Sequence, residues 1–104
     1  MDPSEITIDA LEVKLLEQSI LIDVREPEEY AENRVPGAQL VPLGNIPEQA
    51  ETFSNDQPIY LICASGARSQ AATIFLRELG LNAINVLGGT EAWKKSGREC
   101  HSDQ

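Results

Sequence analysis

The sequence predicts an α/β fold in which a central, mostly parallel sheet of about five short strands carries helices on both faces. Two observations support this prediction. Short apolar runs bounded by turn residues, typical of buried parallel strands, recur along the chain. These runs alternate with segments that have helical patterning and residues that begin or end helices. The clearest apolar runs are residues 19–24, 59–63 and 84–87.

In the first half of the chain, polar residues and proline mark where helices begin. Asp9 is placed to cap a helix that follows a short strand at residues 6–8. Pro27 suits the first position of a helix within residues 26–33, and acidic residues in its first turn support that start. The other predicted elements are strands at 19–24 and 38–41 and a short helix at 47–52.

The second half contains the longest predicted helix, residues 69–79, which follows the strand at 59–63 and ends at Gly80. After it come a strand at 84–87, a turn at Gly88 and Gly89, and a last helix that Thr90 caps. The apolar residues predict which face of the long helix is buried: Ala71, Ile74, Phe75 and Leu79, with Ala72 and Leu76 extending it.

The length and composition of the chain limit the class of protein to which it can belong. The 104 residues fit a single domain, with a core at about 6–97 and a polar C-terminal tail at 98–104. No apolar run approaches the roughly 20 residues of a membrane span. The acidic N-terminus lacks the basic and apolar regions of a signal peptide. We therefore expect a cytoplasmic protein that is most simply a monomer.

The charge balance excludes several kinds of partner. Eight Lys and Arg against 17 Asp and Glu give a formal charge of -9. Such a surface repels nucleic acid and anionic membranes, because binding to phosphates depends on cationic contacts. It also repels small anions at long range, so an anionic substrate must be held by local features of a pocket.

The loop "CASGARS" carries the most specific chemical signal. Cys63 ends a buried strand, and ligands of parallel sheets bind beyond the carboxyl ends of the strands. Small residues around Gly66 let successive backbone N–H groups point inward and form an anion-binding nest. The next helix adds the positive end of its dipole. A thiolate in this nest is stabilised, so the pKa of Cys63 should fall below the free value of about 8.5.

Other polar residues leave alternatives open. Arg68 can bind an oxyanion, or lock the loop through backbone carbonyls and acidic residues. A lone cysteine after a strand is more often a small buried hydrophobe, but the complete unit from Cys63 to Arg68 favours a nucleophile. Cys100 could accept sulfur, form a disulfide with Cys63 or be incidental. Cys100 and His101 lack metal-ligand spacing, so we expect no metal site.

Three segments, in the same order, resemble the signatures of single-domain rhodaneses. "LIDVREPEEYAENRVPGA" is similar to the family's N-terminal signature, "CASGARS" to its active-site loop and "VLGGTEAWKKSG" to its C-terminal signature. The resemblance spans nearly everything from residue 6 to 97. It implies a rhodanese-like three-layer sandwich and a thiosulfate sulfurtransferase-type transferase.

The resemblance also implies a reaction and its partners. The Cys63 thiolate takes the outer sulfur of a donor, which is a small sulfur-containing anion such as thiosulfate or a persulfide. The resulting Cys63 persulfide then passes its sulfur to cyanide, a thiol or a partner protein. No metal or organic cofactor is needed. The residues implied to bind the substrate are those of the loop: Ala64, Ser65, Gly66, Ala67, Arg68 and Ser69.

The same resemblance assigns supporting roles. Asp23 and Arg25 are expected to form an internal pair at the active-site end of the sheet. Trp93 is expected in the core, and the turn at Gly88 and Gly89 leaves room beside the pocket. Two positions depart from the pattern: Ala64 stands where thiosulfate-using members often have a basic residue, and Arg34 replaces a common histidine. Arg34 either adds positive charge or lies in solvent, and we favour solvent.

Two other functions remain as alternatives. One is a regulatory or binding module that keeps the fold without turnover, although such copies often lose the cysteine. The other is a cysteine phosphatase or an arsenate reductase-like enzyme. Four residues separate Cys63 from Arg68, whereas the related phosphatases use five to hold a tetrahedral phosphate.

Overall fold

In the computed structural model, which describes residues 4–103, five parallel strands form one sheet in the order β1-β5-β4-β2-β3. This confirms the predicted α/β class. Residues 1–3 of the predicted domain and N-terminus, and Gln104 of the predicted tail, lie outside the described residues. The strands are β1 Glu5–Ile6, β2 Ile20–Asp23, β3 Gln39–Leu40, β4 Ile59–Ile62 and β5 Ala83–Val86.

Helices follow the strands and cover both faces of the sheet. The helix predicted at residues 47–52 is divided: a short α-helix lies between the 3₁₀ turns Leu43–Asn45 and Ala50–Thr52. No helix of the described residues is long and apolar enough to cross a membrane. The helices are α1 Ile8–Leu16, α2 Pro27–Glu32, α3 Ile46–Gln49, α4 Ala67–Glu78 and α5 Gly89–Lys95.

The central strand β4 supplies alternate side chains to two cores. Leu61 and Cys63 join the core under α3 and α4. Tyr60 and Ile62 join the opposite core, which contains Trp93 of α5 and residues of α1. This alternation is the ordinary period of a strand buried on both faces. It places Cys63 on the α4 side, directly before the loop that leads into that helix.

The start of α1 corrects the sequence prediction. The N-cap is Thr7, whose Oγ1 accepts a hydrogen bond from the N–H of Ala10 at 3.2 Å. Asp9 lies in the first turn, where it forms an ion pair with Arg98. The predicted strand at 6–8 therefore ends at Ile6, because a threonine hydroxyl caps as Asp does and begins the helix earlier.

The buried face of α4 is also different from the prediction. Ile74 and Leu79 are 53% and 56% exposed, and Ala71 and Phe75 are exposed as well. The buried side chains are Ser69, Ala72, Thr73 and Leu76. The helix starts two residues earlier than predicted, and Ser69 turns toward Cys63. The buried stripe then follows from Ser69 at helical spacing, so two polar residues replace part of the apolar face.

The C-terminal segment packs back on the domain. His101 and Arg34 form an antiparallel bridge through two N–H···O bonds of 2.9 Å. The Arg34 guanidinium lies 4.5 Å from the centre of the Tyr30 ring and pairs with Asp103 at 2.8 Å. Our expectation that Arg34 lies in solvent was wrong, because an aromatic ring and this segment cover it.

Candidate active site

Cys63 directly follows β4 and is only 1% exposed. Its neighbours are not only apolar, although it belongs to the core under α4. The N–H of Gly66 donates to Sγ at 3.0 Å, and the Ser69 hydroxyl lies 3.2 Å from it. The backbone amides of Ser65 and Ser69 also help to lower the pKa of this thiol. The Gly66 N–H and the Ser69 hydroxyl therefore surround the sulfur with donors, and the binding of an anion by this loop stays a prediction.

These hydrogen-bond donors change the pKa of the Cys63 thiol. Burial is the largest single influence on the pKa of Cys63 and raises it, because an ion is poorly solvated in the interior. The hydrogen bonds from Ser69 and from the loop amides together outweigh burial and lower the pKa. The lowered pKa makes the thiolate, which is the nucleophilic form of cysteine, easier to form than burial alone would allow.

The N-terminus of α5 explains why the loop amides face the sulfur. The carbonyl of Cys63 accepts the N–H of Thr90 at 2.8 Å, and the carbonyl of Ala64 accepts the N–H of Glu91 at 3.0 Å. These two bonds hold the loop carbonyls away from Sγ. Gly66 then takes φ +114°, a conformation suited to glycine, and α4 begins after it.

Gly89 is what allows the two segments to approach so closely. A Cβ on this residue would lie 2.6 Å from the carbonyl oxygens of both Cys63 and Ala64. The N-cap of α5 is Gly88, so the prediction that Thr90 caps this helix was wrong. The N–H groups that a cap would satisfy bind the loop instead. Thr90 is buried, and its Oγ1 has no partner among the described residues.

Ser69 links the sulfur to a buried amide. Its Oγ lies 2.6 Å from Oδ1 of Asn85 in β5, and the Asn85 Nδ2 donates to the Gly66 carbonyl at 3.3 Å. A serine hydroxyl has one proton, so it serves either the amide oxygen or the sulfur at a given moment. Asn85 thereby fixes the position of Ser69 and connects the loop to the sheet.

Arg68 binds an acidic residue, which is one of the partners predicted for it, and its implied role in binding substrate stays a prediction. Its guanidinium makes two hydrogen bonds to the carboxylate of Glu29 in α2, at 2.8 and 2.9 Å. Each side chain is about one third exposed. The hydrogen bond from Arg68 is the largest influence on the pKa of Glu29 and lowers it to about 2. Glu29 therefore stays ionised at neutral pH.

Asp23 and Arg25 form a second pair at the same end of the sheet. Both side chains are buried, and Nη2 of Arg25 lies 2.8 Å from Oδ2 of Asp23. The same nitrogen donates to the Asn33 carbonyl at 2.6 Å. A buried pair with these extra hydrogen bonds orients the turn after β2. Its predicted role as structural support stays a prediction.

Cys100 lies apart from this site. Both thiols are free, and Cys100 packs against the opposite core, which contains Trp93. The sheet separates it from Cys63 in this conformation. Within residues 4–103, no group of three or more Cys, His, Asp and Glu side chains is arranged to hold a metal ion.

Sequence reasoning missed three parts of the site: Glu29, Asn85 and the N–H groups that begin α5. Asn85 had a detectable signal, since a polar residue inside an apolar strand indicates a specific partner. Glu29 had none, because it is one of several acids in the same short segment. The N–H groups that begin α5 had no signal either, because every residue except proline has a backbone N–H.

Comparisons with known proteins agree with this geometry. A model of the family described as Rhodanese-like domain matches residues 7–96. The putative sulfurtransferase YtwF of Bacillus subtilis is 43% identical over 96 residues, which cover 90% of this chain and 93% of that protein. The thiosulfate sulfurtransferase GlpE of Actinobacillus succinogenes is 33% identical over 82 residues, covering 78% of this chain and 74% of that one.

A solved structure gives the same result. The rhodanese-like domain protein of Staphylococcus aureus superposes with a TM-score of 0.85 and 36% identity, over 97% of this chain and 99% of that one. Family signature, relatives and fold therefore agree: this chain belongs to the rhodanese-like domain family.

Proposed function

We propose that this chain is a sulfurtransferase that carries sulfane sulfur as a persulfide on Cys63. The observation that supports this best is the ring of donors around Sγ, which lowers the pKa of a thiol that burial alone would raise. Nothing about packing requires such a ring. It suits a group that must be an anion before the reaction and an anion after it.

The reaction has two balanced steps. The Cys63 thiolate attacks the outer sulfur of a donor; an S–S bond forms to Cys63, and the donor's own bond to that sulfur breaks. With thiosulfate the leaving group is sulfite, and with a persulfide donor it is a thiolate. An acceptor, either cyanide or the thiolate of a small molecule or protein, then takes the sulfur and restores Cys63. This is covalent catalysis.

The chain's own residues supply electrostatic stabilisation. The Gly66 N–H and the Ser69 hydroxyl already contact the sulfur, so they need no reorganisation when charge moves to the outer atom. A preformed thiolate also needs no general base. Both cysteines are free thiols, so a reducing compartment such as the cytoplasm suits the reaction.

Burial of Cys63 gives weight to a second function, a binding module without turnover. At 1% exposure the sulfur is reached only through a narrow opening or after the loop moves. A slim donor meets this condition better than a bulky one. If the loop never admits a donor, the fold would serve only as a docking domain.

Intact mass spectrometry separates the two functions. The protein is mixed with thiosulfate, or with cysteine persulfide as a second donor. We expect the mass of one sulfur to be added and then lost on treatment with cyanide. Cys63→Ser should gain none, whereas Cys100→Ser is the matched control and should behave as the unchanged protein.

The negative result is informative as well. If folded protein gains no sulfur from either donor, the sulfurtransferase proposal fails and the binding module becomes the better account. Sulfur added equally to Cys63→Ser would place the reaction on the other cysteine and would also overturn the proposal.

A further inference from the structure

Both arginines at the active-site end of the sheet are already paired with acids. Arg25 binds Asp23, and Arg68 binds Glu29. The charges of these four side chains cancel, and the Cys63 thiolate adds a negative charge. The loop residues that precede Arg68 bring no cation. An incoming anion therefore meets amide dipoles but no unpaired positive side chain among these groups.

The Glu29–Arg68 pair differs from the buried pair because solvent reaches it. Its side chains are 36% and 37% exposed, and it joins α2 to the first turn of α4. Glu29 also accepts the N–H of Glu26 at 2.9 Å in a capping box, which holds its carboxylate in place. The hydrogen bond to Glu29 raises the pKa of Arg68 most, and the charge of Cys63 raises it further, so the guanidinium and the sulfur interact electrostatically.

We propose that Glu29 is a specificity-determining residue that, by neutralising Arg68, makes this pocket favour singly charged sulfur donors over the doubly charged thiosulfate. The inference rests on the proposed function. It names the substrate class of the same site: persulfides and thiosulfonates rather than thiosulfate. Removing the charge of Glu29 should therefore increase the rate of sulfur transfer from dianionic donors more than from singly charged donors.

Two donors of similar shape and different charge separate the effect of charge from the effect of size. Thiosulfate has an SO₃ group on its outer sulfur, and methanethiosulfonate has a methyl group in place of one of those oxygens. Cys63 attacks the outer sulfur of either one and the S–S bond of the donor breaks. The leaving groups are sulfite from the dianion and methanesulfinate from the monoanion. The same persulfide forms on Cys63 in both cases, and no oxidant or reductant is needed.

The test measures the rate of Cys63 persulfide formation with each donor in Glu29→Gln. Glutamine keeps an oxygen for the capping bond and removes the charge. Because Coulomb energy is proportional to the donor's charge, the logarithm of the rate gain should double for the dianion. We expect about a threefold gain for methanethiosulfonate and about a ninefold gain for thiosulfate, both shrinking as salt is added.

Two further variants show whether the gain passes through Arg68. Glu28→Gln removes the same charge from the exposed neighbouring position of α2 and should change the donor ratio much less. The double variant Glu29→Gln with Arg68→Gln should lose the gain, as expected of coupled residues in a double-mutant cycle.

The outcomes distinguish this inference from the proposed function. If wild type loads sulfur but the ratio of thiosulfate to methanethiosulfonate rates is the same in Glu29→Gln, the inference fails and the sulfurtransferase stands. A gain equal to that of Glu28→Gln would also overturn it, because only general charge would then matter. If neither donor nor cysteine persulfide loads Cys63, the proposed function itself fails.

Discussion

Cys63 and Cys100 carry the same thiol in two different surroundings. Cys63 is the more deeply buried of the two, at the end of a central strand, and its sulfur contacts the Gly66 N–H and the Ser69 hydroxyl. Cys100 is partly buried in the C-terminal segment, and its sulfur lies 3.9 Å from the carbonyl oxygen of Arg98, which accepts rather than donates.

The two surroundings differ in the direction of the neighbouring backbone groups, and the more buried of the two thiols is the one that receives hydrogen bonds. A buried thiol without donors keeps its proton, because the interior solvates an ion poorly. At Cys63 two N–H groups of α5 hold the loop carbonyls away and leave the loop amides to the sulfur. At Cys100 the neighbouring group is the carbonyl oxygen of Arg98, which accepts a hydrogen bond rather than donating one.

The largest effect should come from Gly89, which supports this arrangement. Gly89→Ala places a methyl group 2.6 Å from the carbonyl oxygens of Cys63 and Ala64, at φ +60°. Left-handed strain costs about 1–2 kcal/mol, and overpacking adds about 1–3 kcal/mol. We expect unfolding by urea to show a loss of about 3 kcal/mol, together with loss of sulfur loading on the protein that remains folded.

Gly97→Ala is the matched control near the C-terminal segment. Its φ is +85°, and an added Cβ has nothing within 4 Å. It should lose only about 1–2 kcal/mol from left-handed strain and keep normal loading. Equal losses in the two variants would contradict the close approach of α5 to the loop.

The sequence was sufficient for those parts of the site that depend on local patterns. Apolar runs at strand length located β2, β4 and β5, and the small residues after Cys63 indicated a nest. The rotation of α4 was not accessible in this way. Apolar content favoured Ile74 and Leu79 as buried, whereas a tertiary contact from Ser69 to the sulfur determined the face.

Local sequence patterns could not predict contacts between residues that lie far apart in the chain. The sequence offered Arg68 a choice between an oxyanion and an acid, but Glu29 lies 39 positions away in the chain. Many acids in a chain of net charge -9 satisfy such a description equally well. The same reason applies to Arg34 only for its acidic partner, Asp103 of the C-terminal segment, because Tyr30 in α2 is a near neighbour in sequence.

Removing the Ser69 hydroxyl should have an intermediate effect on the reactivity of Cys63. Ser69→Ala takes away the largest hydrogen-bond contribution that lowers the pKa of Cys63, so that pKa should rise. A hydrogen bond to a charged group is worth about 1.5–3 kcal/mol. At a pH below the pKa, we expect alkylation of Cys63 by iodoacetamide to slow about tenfold.

The pH midpoint of alkylation is the informative measurement, because accessibility changes the rate but not the midpoint. Both proteins carry Cys100→Ser, so that only one thiol reacts. Thr73→Ser, one helical turn along the same buried stripe, controls for changes in the packing of α4. An unchanged midpoint in Ser69→Ala would mean that the backbone amides alone set the charge state.

The smallest effect concerns the ion pair beside the loop, whose contribution to the free energy of unfolding is lost in acid. Hydrogen bonding to Arg68 lowers the pKa of Glu29 from 4.5 to about 2, so its stabilising contribution is complete above the ordinary value. It is lost as the pH falls toward the lowered one. The carboxylate is 36% exposed, and solvent screening limits the contribution to about 0.5–1 kcal/mol.

Urea unfolding of wild type and Glu29→Gln between pH 6 and the acid limit of folding, roughly pH 2–3, measures this contribution directly. The two free energies should differ at pH 6 and converge as the pH falls, because a protonated glutamate and a glutamine are both neutral. Asp103→Asn removes the acid of the pair in the C-terminal segment, whose carboxylate is more exposed, and should show a smaller difference. A gap for Glu29→Gln that stayed constant down to acid pH would mean that packing, rather than the charge of the pair, holds α2 against the loop.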